Sequence, residues 1–319
     1  MTDPPGLDGR SSVSIVVPVY GCAACIRELC DRIRKSMSTL TARFEIILVD
    51  DRSPDGSWAS ILEIQKDFPE VKGIQLSRNF GQHIAITVGL NAARGDYAII
   101  MDCDLQDPPE KIPEMFAKLT EGYDCVLARR IERSHSPARI YASKLYFWLM
   151  SKLTKKKIDG SYGSFSLLTR KVMDAFKKFS ERDRHYLFIL RWLGFKIGSI
   201  DYEHRERAHG KSSYSPGKLL QHAIDGLFFQ TTVFLQWITL LGMLFAVSGI
   251  CLAAYLVVQY IDHGAAEGWT SIVTLLLVCT GIILTSLGIV GLYVGKIFDQ
   301  VKRRPLYVVD NVSESSISW

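Results

Sequence analysis

The sequence predicts an α/β protein with a Rossmann-like, mainly parallel sheet, interfacial amphipathic helices and a C-terminal two-helix transmembrane hairpin. Short apolar runs alternate with segments of helical periodicity in the N-terminal part of the chain, a pattern typical of parallel sheets. Two later stretches, 228–261 and 268–295, contain no Asp, Glu, Lys or Arg. A composition of 48% hydrophobic and 22% charged residues excludes disordered, collagenous and disulfide-rich secreted chains.

Five short apolar runs are predicted to form the strands of the sheet, at 14–18, 45–49, 71–76, 97–101 and 125–128. Apolar side chains recur at helical spacing between them, which predicts helices over about 26–40, 58–68, 82–93 and from Pro108 onward. Helical connections between parallel strands form right-handed crossovers. Because ligands of such sheets bind beyond the carboxyl ends of the strands, the residues that follow each run are candidate site residues.

The two uncharged stretches are long enough to cross a membrane, since about 20 helical residues span a hydrocarbon core of ~30 Å. The connector 261–269 contains Asp262 and Glu267 but no Lys or Arg. By the positive-inside rule, both termini are predicted to be cytoplasmic, joined by an outward-facing hairpin. The basic residues that support this orientation follow the second stretch: Lys296, Lys302, Arg303 and Arg304.

The predicted domain organisation follows from these charge-free stretches and from the strand and helix pattern. It consists of a flexible N-terminus (1–12), an α/β domain expected to carry the chemistry (13–215), a juxtamembrane amphipathic helix (216–229), two transmembrane helices within 230–295 (about 230–260 and 270–294) and a basic cytoplasmic tail (296–319).

A basic amphipathic helix is predicted around residues 141–153, where five apolar side chains recur at i, i+4, i+7, i+8 and i+12. Lysines at 144, 152 and 155–157 share this segment. Such a helix favours an anionic membrane surface, and a core-packed helix with a solvated face is the alternative. Segment 218–229 is predicted to be a second interfacial segment that leads into the first span.

The most informative segment is Asp102-Cys-Asp104-Leu-Gln106-Asp107, which follows the fourth predicted strand. If that strand continues to Gln106, its period of two places Asp102, Asp104 and Gln106 on one side. Three oxygen-bearing side chains on one side suit a hard cation such as Mg²⁺ or Mn²⁺. The alternative is a solvated acidic turn in which Asp107 caps the helix that begins at Pro108.

A second acidic segment, Asp50-Asp51-Arg-Ser53-Pro-Asp55-Gly56, follows the second predicted strand. Ser53 and Asp55 are predicted to cap the next helix, whereas an aspartate at the strand tip is placed to accept a hydrogen bond from a base or ribose. A metal beside a basic wall indicates a phosphate-bearing ligand, for which the arginine fork is suited. The basic residues of that wall are Arg78, Arg129, Arg130, Arg139, Arg205, Arg207 and Lys211.

The cysteines are predicted to be reduced and buried thiols, because Cys22-x-x-Cys25 has no second Cys or His pair at zinc spacing. The number of cysteines is odd, and two of them lie in the uncharged stretches. The seven are Cys22, Cys25, Cys30, Cys103, Cys125, Cys251 and Cys279.

Five motifs occur in the order Ile15-Val-Val-Pro-Val-Tyr20, Leu48-Val-Asp-Asp-Arg-Ser53, Asn79-Phe-Gly-Gln-His83, Asp102-x-Asp104-x-Gln106-Asp-Pro-Pro109 and Gly210-Lys-Ser-Ser-Tyr214. Together with the two predicted spans, this order resembles family 2 glycosyltransferases of the GT-A fold. The branch it resembles is the polyprenyl-phosphate glycosyltransferases, relatives of dolichol-phosphate mannose synthase and of bactoprenol glucosyltransferases. The resemblance covers about residues 12–300.

The resemblance implies a role for each matching residue. The nucleotide-sugar would be held by Pro18, Tyr20, Asp50 or Asp51, Asp102, Asp104 and Gln106, with Asp102 and Asp104 acting through Mg²⁺ or Mn²⁺. The acceptor phosphate would be held by Arg129, Arg139, Arg207, Lys211 and Ser212, and the expected catalytic residues are Asp102, Asp104, Arg129, Arg139 and Arg207.

The resemblance further implies the reaction and its partners. A hexose, with UDP-glucose as the favoured donor, would be transferred with inversion to undecaprenyl phosphate at the bacterial inner membrane for modification of cell-envelope glycans such as O-antigen. The implied partners are the donor, the polyprenyl phosphate and membrane lipids, with no nucleic acid, and homo-oligomers are left open. The net charge of +5 suits these anionic partners.

Two positions depart from the pattern of the family. Many members have Asn-Glu-Glu after the tyrosine, where this chain has Gly21-Cys22-Ala23, so an acid that usually contacts the nucleotide is absent. Where relatives have an arginine after Gly-Ser-Phe, this chain has Ser166.

Other functions fit the sequence less well. A processive polysaccharide synthase usually carries Gln-x-x-Arg-Trp, whereas this chain has Phe188-Ile-Leu-Arg191-Trp192 and only two predicted spans. A transferase that uses GDP-mannose or UDP-GlcNAc is a further alternative. A flippase is disfavoured because the spans hold no charge to line a path, and a non-catalytic scaffold is disfavoured by the intact Asp102 and Asp104.

Overall fold

A computed structural model of the chain describes residues 11–41, 43–131, 161–181, 184–203, 233–263 and 268–316. The chain divides into two compact units, which are described separately. The first unit comprises 1–147, 159–213 and 305–319, and the second comprises 148–158 and 214–304. The predicted interfacial segments at 141–153 and 218–229 lie outside the described residues.

Within the described residues, the first unit is built on an eight-stranded sheet with the order β7-β5-β6-β4-β1-β2-β3-β8. Its strands are β1 (Val13–Val19), β2 (Phe44–Asp50), β3 (Val71–Leu76), β4 (Tyr97–Ile100), β5 (Cys125–Ile131), β6 (Tyr162–Thr169), β7 (Ile197–Glu203) and β8 (Val309–Ser313).

Most strand pairs are parallel, as the alternation of strands and helices predicts. β1 pairs in parallel with β2 and β4, β2 with β3, and β5 with β7. β6 runs antiparallel between β4 and β5, and β8 runs antiparallel at the edge beside β3. The prediction of a mainly parallel α/β sheet is therefore confirmed.

The helices of the first unit cover both faces of the sheet. They are α1 (Ile26–Met37), α2 (Ser57–Ile64), α3 (Gln82–Ala92), a 3₁₀ turn (Pro109–Lys111) that leads into α4 (Ile112–Leu119), α5 (Arg170–Lys177) and α6 (Tyr186–Trp192). The α1, α2 and α4 side chains share one buried cluster, and those of α3, α5 and α6 share the other. Burial on both faces explains why β1 and β2 read as continuous apolar runs.

The strand β1 illustrates how its residues divide between the two faces. Ile15 and Val17 belong to the cluster beneath α1, whereas Val16 belongs to the cluster beneath α3. All seven residues of the strand are buried. This central position brings the end of β1 next to the ends of β2 and β4, where the candidate site lies.

Gly89 of α3 lies so close to β1 that an added Cβ would overlap the Cγ1 atom of Val16. Gly89→Ala is expected to lower the free energy of unfolding by up to about 2 kcal/mol, because overpacking costs ~1–3 kcal/mol and the gain in helix propensity returns only ~1 kcal/mol. Urea unfolding followed by circular dichroism measures the effect. Adding Val16→Ala should recover part of the loss, and purely additive losses would contradict the contact as the cause.

The sequence did not predict the strand β8, which falls in the segment assigned to a cytoplasmic tail. It is short and polar, and its side chains are mostly exposed. Asp310 forms an ion pair with Arg52 at 2.6 Å, and the Asn311 side chain donates to the Gln75 amide oxygen at 2.9 Å. The end of the chain therefore covers the outer edge of β3 and contacts the loop that follows β2.

The second unit contains the long helices α7 (Val233–His263) and α8 (Trp269–Val301). Both carry many exposed apolar side chains, among them Leu240, Leu244, Leu276 and Leu287. In the part of the chain that the structure describes, no helix combines the length and the apolar character needed to cross a membrane, so the predicted transmembrane hairpin is not found there.

Candidate active site

The acidic segment 102–107 lies in a turn at the carboxyl end of β4. The strand does not continue to Gln106, as placing Asp102, Asp104 and Gln106 on one side by alternation would require, because β4 ends at Ile100. Leu105 adopts a left-handed backbone conformation with φ of 63°, which a strand does not allow. The backbone N–H of Gln106 donates to the Asp104 carboxylate at 3.2 Å. Asp102 and Asp104 are therefore brought near each other by a turn and not by strand alternation.

Asp102 is held by side chains from three other elements. Its Oδ1 accepts hydrogen bonds from Gln82 at the start of α3 and from Ser164 of β6, both at 2.6 Å. Its Oδ2 lies 3.6 Å from the guanidinium of Arg130 on β5. Gln82 lies in one of the sequence motifs, but no role was predicted for it. Ser164 was not predicted to be part of the site.

Asp107 is fully buried and acts as the centre of a second set of contacts. It accepts from the hydroxyl of Tyr202 at 2.5 Å and from the backbone N–H of Asp102 at 3.2 Å. Arg130 lies 3.6 Å from its carboxylate and donates from Nε to the Tyr202 hydroxyl at 2.9 Å. The 3₁₀ turn has no side-chain cap, so the interpretation of Asp107 as a helix cap is wrong. Asp107 instead fixes the turn that carries Asp102.

Burial and like charge dominate the electrostatics of this cluster. Burial raises the pKa of Asp102, and the neighbouring Asp107 carboxylate raises it further. Burial also raises the pKa of Asp107, although Arg130 opposes the effect. The nearby carboxylates raise the pKa of Arg130, which stays charged. Burial and like charge thus disfavour the ionised forms of Asp102 and Asp107, and an added cation would favour them.

Asp50 and Asp51 at the end of β2 are both buried and hold loops in place. Asp50 accepts from the backbone N–H of Ser53 at 3.0 Å and from the Gln75 side chain at 3.0 Å. Asp51 accepts from the backbone N–H groups of Phe80 at 2.7 Å and Gly81 at 2.8 Å. Burial raises the pKa of Asp51, which these two hydrogen bonds counteract. A contact of either aspartate with a nucleotide stays a prediction.

Tyr20 and Pro18 occupy different environments at the end of β1. Pro18 is buried within the strand, whereas Tyr20 is 47% exposed beyond it. The loop that follows is fixed by the next segment, since Ala23 N–H donates to Asp55 at 2.9 Å and Gly21 N–H to Ser53 at 3.2 Å. An exposed aromatic ring in a held loop is suited to contact a base.

Arg129 and Arg130 are neighbours on β5 but face different partners. Arg129 forms a two-pronged pair with Asp201, with distances of 2.6 and 2.7 Å, and lines a cleft of about 490 Å³ with residues of α4. Arg130 approaches Asp102 and Asp107 instead. Strand alternation alone does not predict which of the two arginines faces Asp102, because the pairing of β5 with β6 shifts register between Leu127 and Arg129.

The other residues predicted to hold the acceptor phosphate lie outside the described ranges. They are Arg139, Arg207, Lys211 and Ser212. Their roles and that of Arg129 stay predictions.

The prediction of reduced thiols throughout is wrong for one pair, because Cys22 and Cys103 form a disulfide. Cys25, Cys30 and Cys125 are free and buried, as predicted. The sequence separation of 81 residues hides the pairing. The fold creates it by placing the end of β1 beside the end of β4, at a Cα–Cα distance of 6.3 Å.

His185, just before α6, is expected to make stability depend on pH. Its ring packs between His83 and Phe188, and burial lowers its pKa to about 4. The unfolded chain binds a proton at His185 below about pH 6.5, whereas the folded chain does so only near pH 4, so stability is lost as pH falls through this window. His185→Phe should therefore lose less stability than the parent between pH 7.5 and 5 in urea titrations. Equal losses would contradict this.

Comparison with known proteins gives consistent similarities. Residues 14–176 match the model of glycosyl transferase family 2. The chain is 36% identical over 308 residues to the undecaprenyl-phosphate 4-deoxy-4-formamido-L-arabinose transferase of Proteus mirabilis, with 95% of this chain and 94% of that protein covered. It is 35% identical over 298 residues to the uncharacterized glycosyltransferase YkcC of Bacillus subtilis, with 93% and 92% covered.

A solved structure of similar fold is glucosyl-3-phosphoglycerate synthase from Mycobacterium tuberculosis in complex with Mn²⁺, UDP and phosphoglyceric acid. The TM-score is 0.50 at 16% identity, over 69% of this chain and 78% of that chain. This likeness shows a GT-A-like fold, and the sequence similarities show the family and the class of enzyme. The chain belongs to glycosyl transferase family 2 and is a glycosyltransferase.

Proposed function

We propose that the chain is a membrane-anchored, inverting glycosyltransferase that moves a sugar from a nucleotide-sugar to polyprenyl phosphate with the help of a divalent metal. The observation that carries the proposal is the acidic turn itself. Asp102 and Asp104 follow the carboxyl end of β4, a central strand of the sheet, and Arg130 lies beside Asp102. The names of relatives that match nearly the whole chain supply the acceptor class.

The residues of the turn fit Mg²⁺ or Mn²⁺. Within the described ranges, no three His, Cys, Asp or Glu side chains are grouped as a complete metal site. Two carboxylates are nevertheless enough for Mg²⁺ or a similar ion, which commonly takes its other ligands from substrate phosphates and water. Asp102 and Asp104 would hold the ion. Burial, and after it the Asp107 carboxylate, raises the pKa of Asp102, and a bound cation would oppose both effects by stabilising the carboxylate form. When bound, such an ion stabilises the negative charge of the departing nucleotide diphosphate.

The acceptor needs little activation by the protein. A phosphate monoester has a second pKa of ~6, so it is largely a dianion at pH 7 and already nucleophilic. Catalysis then depends on orienting its attack on the anomeric carbon and on balancing charge at the leaving group. A direct displacement inverts the anomeric centre. Arg130, the predicted basic residues Arg129, Arg139, Arg207 and Lys211, and the hydroxyl of Ser212 would hold the phosphates.

The two long helices would anchor the enzyme to the membrane that contains its lipid acceptor. The charge-free stretches 228–261 and 268–295 support a membrane anchor. The exposed leucines of α7 and α8 support it as well, because these apolar side chains would otherwise be in contact with water. With the basic residues after the second stretch on the inner side, the catalytic unit would lie in the cytoplasm of a bacterial cell, where nucleotide-sugars are made.

UDP-glucose is the favoured donor, and GDP-mannose and UDP-GlcNAc are alternatives. Several relatives are named as 4-deoxy-4-formamido-L-arabinose transferases, so a nucleotide-linked form of that sugar belongs in the same comparison.

A donor panel tests the proposal. The full-length protein in detergent is incubated with undecaprenyl phosphate, Mg²⁺ or Mn²⁺, and each nucleotide-sugar in turn, and lipid products are identified by mass spectrometry. We expect one donor to give polyprenyl phosphate carrying a single sugar, and EDTA to remove the activity until metal is restored. A polymeric product would overturn the acceptor assignment. Turnover that EDTA leaves unchanged would overturn the metal assignment.

A further inference from the structure

The disulfide between Cys22 and Cys103 lies within the proposed active site, and no step of the proposed reaction uses it. We propose that Cys22 and Cys103 form a reversible dithiol–disulfide pair whose oxidation weakens binding of the metal and nucleotide. This inference rests on the proposed function of the acidic turn. It accounts for a cysteine between the two candidate metal ligands and for its partner in the loop that follows β1.

The geometry suits a bond that forms and breaks without movement of the core. The two Cα atoms are 6.3 Å apart, within the usual range for disulfides. Both residues lie in loops that follow strands, and both side chains are nearly buried, with exposures of 9% for Cys22 and 6% for Cys103. The strands β1 and β4 are paired, so the framework holds the thiols close to each other when the bond is broken.

The Cys22 side of the bond is anchored. The backbone N–H of Ala23 donates to Asp55, and that of Gly21 donates to Ser53, so this loop is tied to the segment that follows β2. Cys22 lies two residues after Tyr20, the exposed aromatic residue proposed to contact the nucleotide. The bond therefore joins the loop proposed for the nucleotide to the turn proposed for the metal.

The Cys103 side of the bond lies in the part of the site that has to rearrange. Both oxygens of Asp102 are engaged, with Gln82 and Ser164 on one and Arg130 near the other, and Asp104 accepts from the backbone of Gln106. To ligate one ion together, the two carboxylates have to turn toward it. A covalent bond through the residue between them restrains the backbone of the turn and opposes that movement.

The redox step is a thiol–disulfide exchange with a low-molecular-weight disulfide such as oxidised glutathione. One protein thiolate attacks the disulfide, which forms a mixed disulfide and releases one glutathione thiolate. The second protein thiolate then attacks the protein sulfur of the mixed disulfide, forming the Cys22–Cys103 bond and releasing the second glutathione. Two protein thiols lose two protons and two electrons, and one glutathione disulfide becomes two thiols. In a reducing cytoplasm the dithiol would be the resting form.

Cys25 is the obvious competitor, because it completes the spacing Cys22-x-x-Cys25. It is a free thiol and almost fully buried, and burial raises its pKa above the ordinary value. Its backbone N–H donates to the carbonyl of Cys22 at 2.9 Å, which closes a tight turn. We therefore assign Cys103, and not Cys25, as the partner of Cys22.

The experiment compares reduced and oxidised forms of the full-length protein. One sample is treated with dithiothreitol and one with oxidised glutathione, and both are then freed of reagent. Tryptic digestion without reduction shows whether peptides 11–27 and 95–111 are linked. Titration calorimetry with UDP in the presence of Mn²⁺ measures binding by each form. We expect the linked form to bind about tenfold more weakly, the effect typical of disturbing groups that orient metal ligands.

Two variants serve as controls. Cys22→Ser should show the same UDP affinity after either treatment, because it cannot form the bond. Cys251→Ser removes an exposed thiol of α7 and should respond like the parent.

Three results would overturn the proposal: peptides that stay unlinked after oxidation, equal affinity of linked and unlinked forms (including no binding by either), or a response that persists in Cys22→Ser. Failure of the proposed acceptor is distinguishable from these results. In that case the redox-dependent affinity for UDP remains while neither form transfers sugar to polyprenyl phosphate.

Discussion

Asp104→Ala is expected to lower the rate of sugar transfer by about 10²–10³-fold, the cost typical of removing a group that stabilises charge at the leaving group. Asp104 is partly exposed in the turn, and its carboxylate accepts a hydrogen bond from the backbone N–H of Gln106. Because the side chain supports no core packing, the variant should fold and unfold at the same urea concentration as the parent. The loss would then be assignable to the metal and not to stability.

Two further variants make this prediction specific. Asp104→Asn keeps an oxygen that accepts from Gln106 but loses the charge, so it should be nearly as inactive as the alanine variant. Asp67→Asn removes an exposed carboxylate that pairs with Arg27 on the surface and should keep the parental rate. Initial rates of sugar transfer, measured across a range of Mn²⁺ concentrations, test whether the charge of Asp104 binds the metal. Parental rates in Asp104→Asn would show that its charge does not bind metal.

Arg130→Met is expected to lower both stability and activity. The substitution removes the guanidinium that lies near Asp102 and Asp107. The partly buried carboxylate of Asp102 and the fully buried carboxylate of Asp107 then lose that neighbouring positive charge. Breaking a fully buried pair costs about 3–5 kcal/mol, and since 27% of the Arg130 side chain is exposed we expect about 2–3 kcal/mol here. Methionine keeps most of the aliphatic volume, so the loss should come from charge.

A second substitution separates charge from packing. Adding Asp107→Asn to Arg130→Met removes one of the uncompensated carboxylates and should restore part of the unfolding free energy. Activity should stay low in the double variant, because the turn that carries Asp102 has lost its buried anchor. Urea unfolding and transfer rates are measured on the same preparations. A double variant that is less stable than Arg130→Met would contradict an electrostatic cause.

The sheet could be predicted from the sequence because its central strands are buried on both faces. Five apolar runs correspond to β1–β5, and the run 71–76 matches β3 at both ends. The strand β8 could not be predicted, since an exposed edge strand needs no apolar pattern and pairs through its backbone.

The geometry of the acidic turn could not be predicted from the sequence. Asp102 and Asp104 were identified by their position after a strand, yet the turn with Leu105 at positive φ replaces the expected alternation. Tyr202 and Ser164 come from strands far along the chain, so only the tertiary fold brings them to Asp107 and Asp102. The pairing of Cys22 with Cys103 depends on the same long-range placement.

The most direct test of the proposed function uses radiolabelled undecaprenyl phosphate with the donor that the panel selects. After incubation with the full-length protein and Mn²⁺, the label should appear in a lipid whose mass exceeds that of the acceptor by one sugar residue. The product should be absent when EDTA is present or when Asp104→Asn replaces the parent. Label that stays in the unmodified lipid while the nucleotide-sugar is consumed would contradict polyprenyl phosphate as the acceptor.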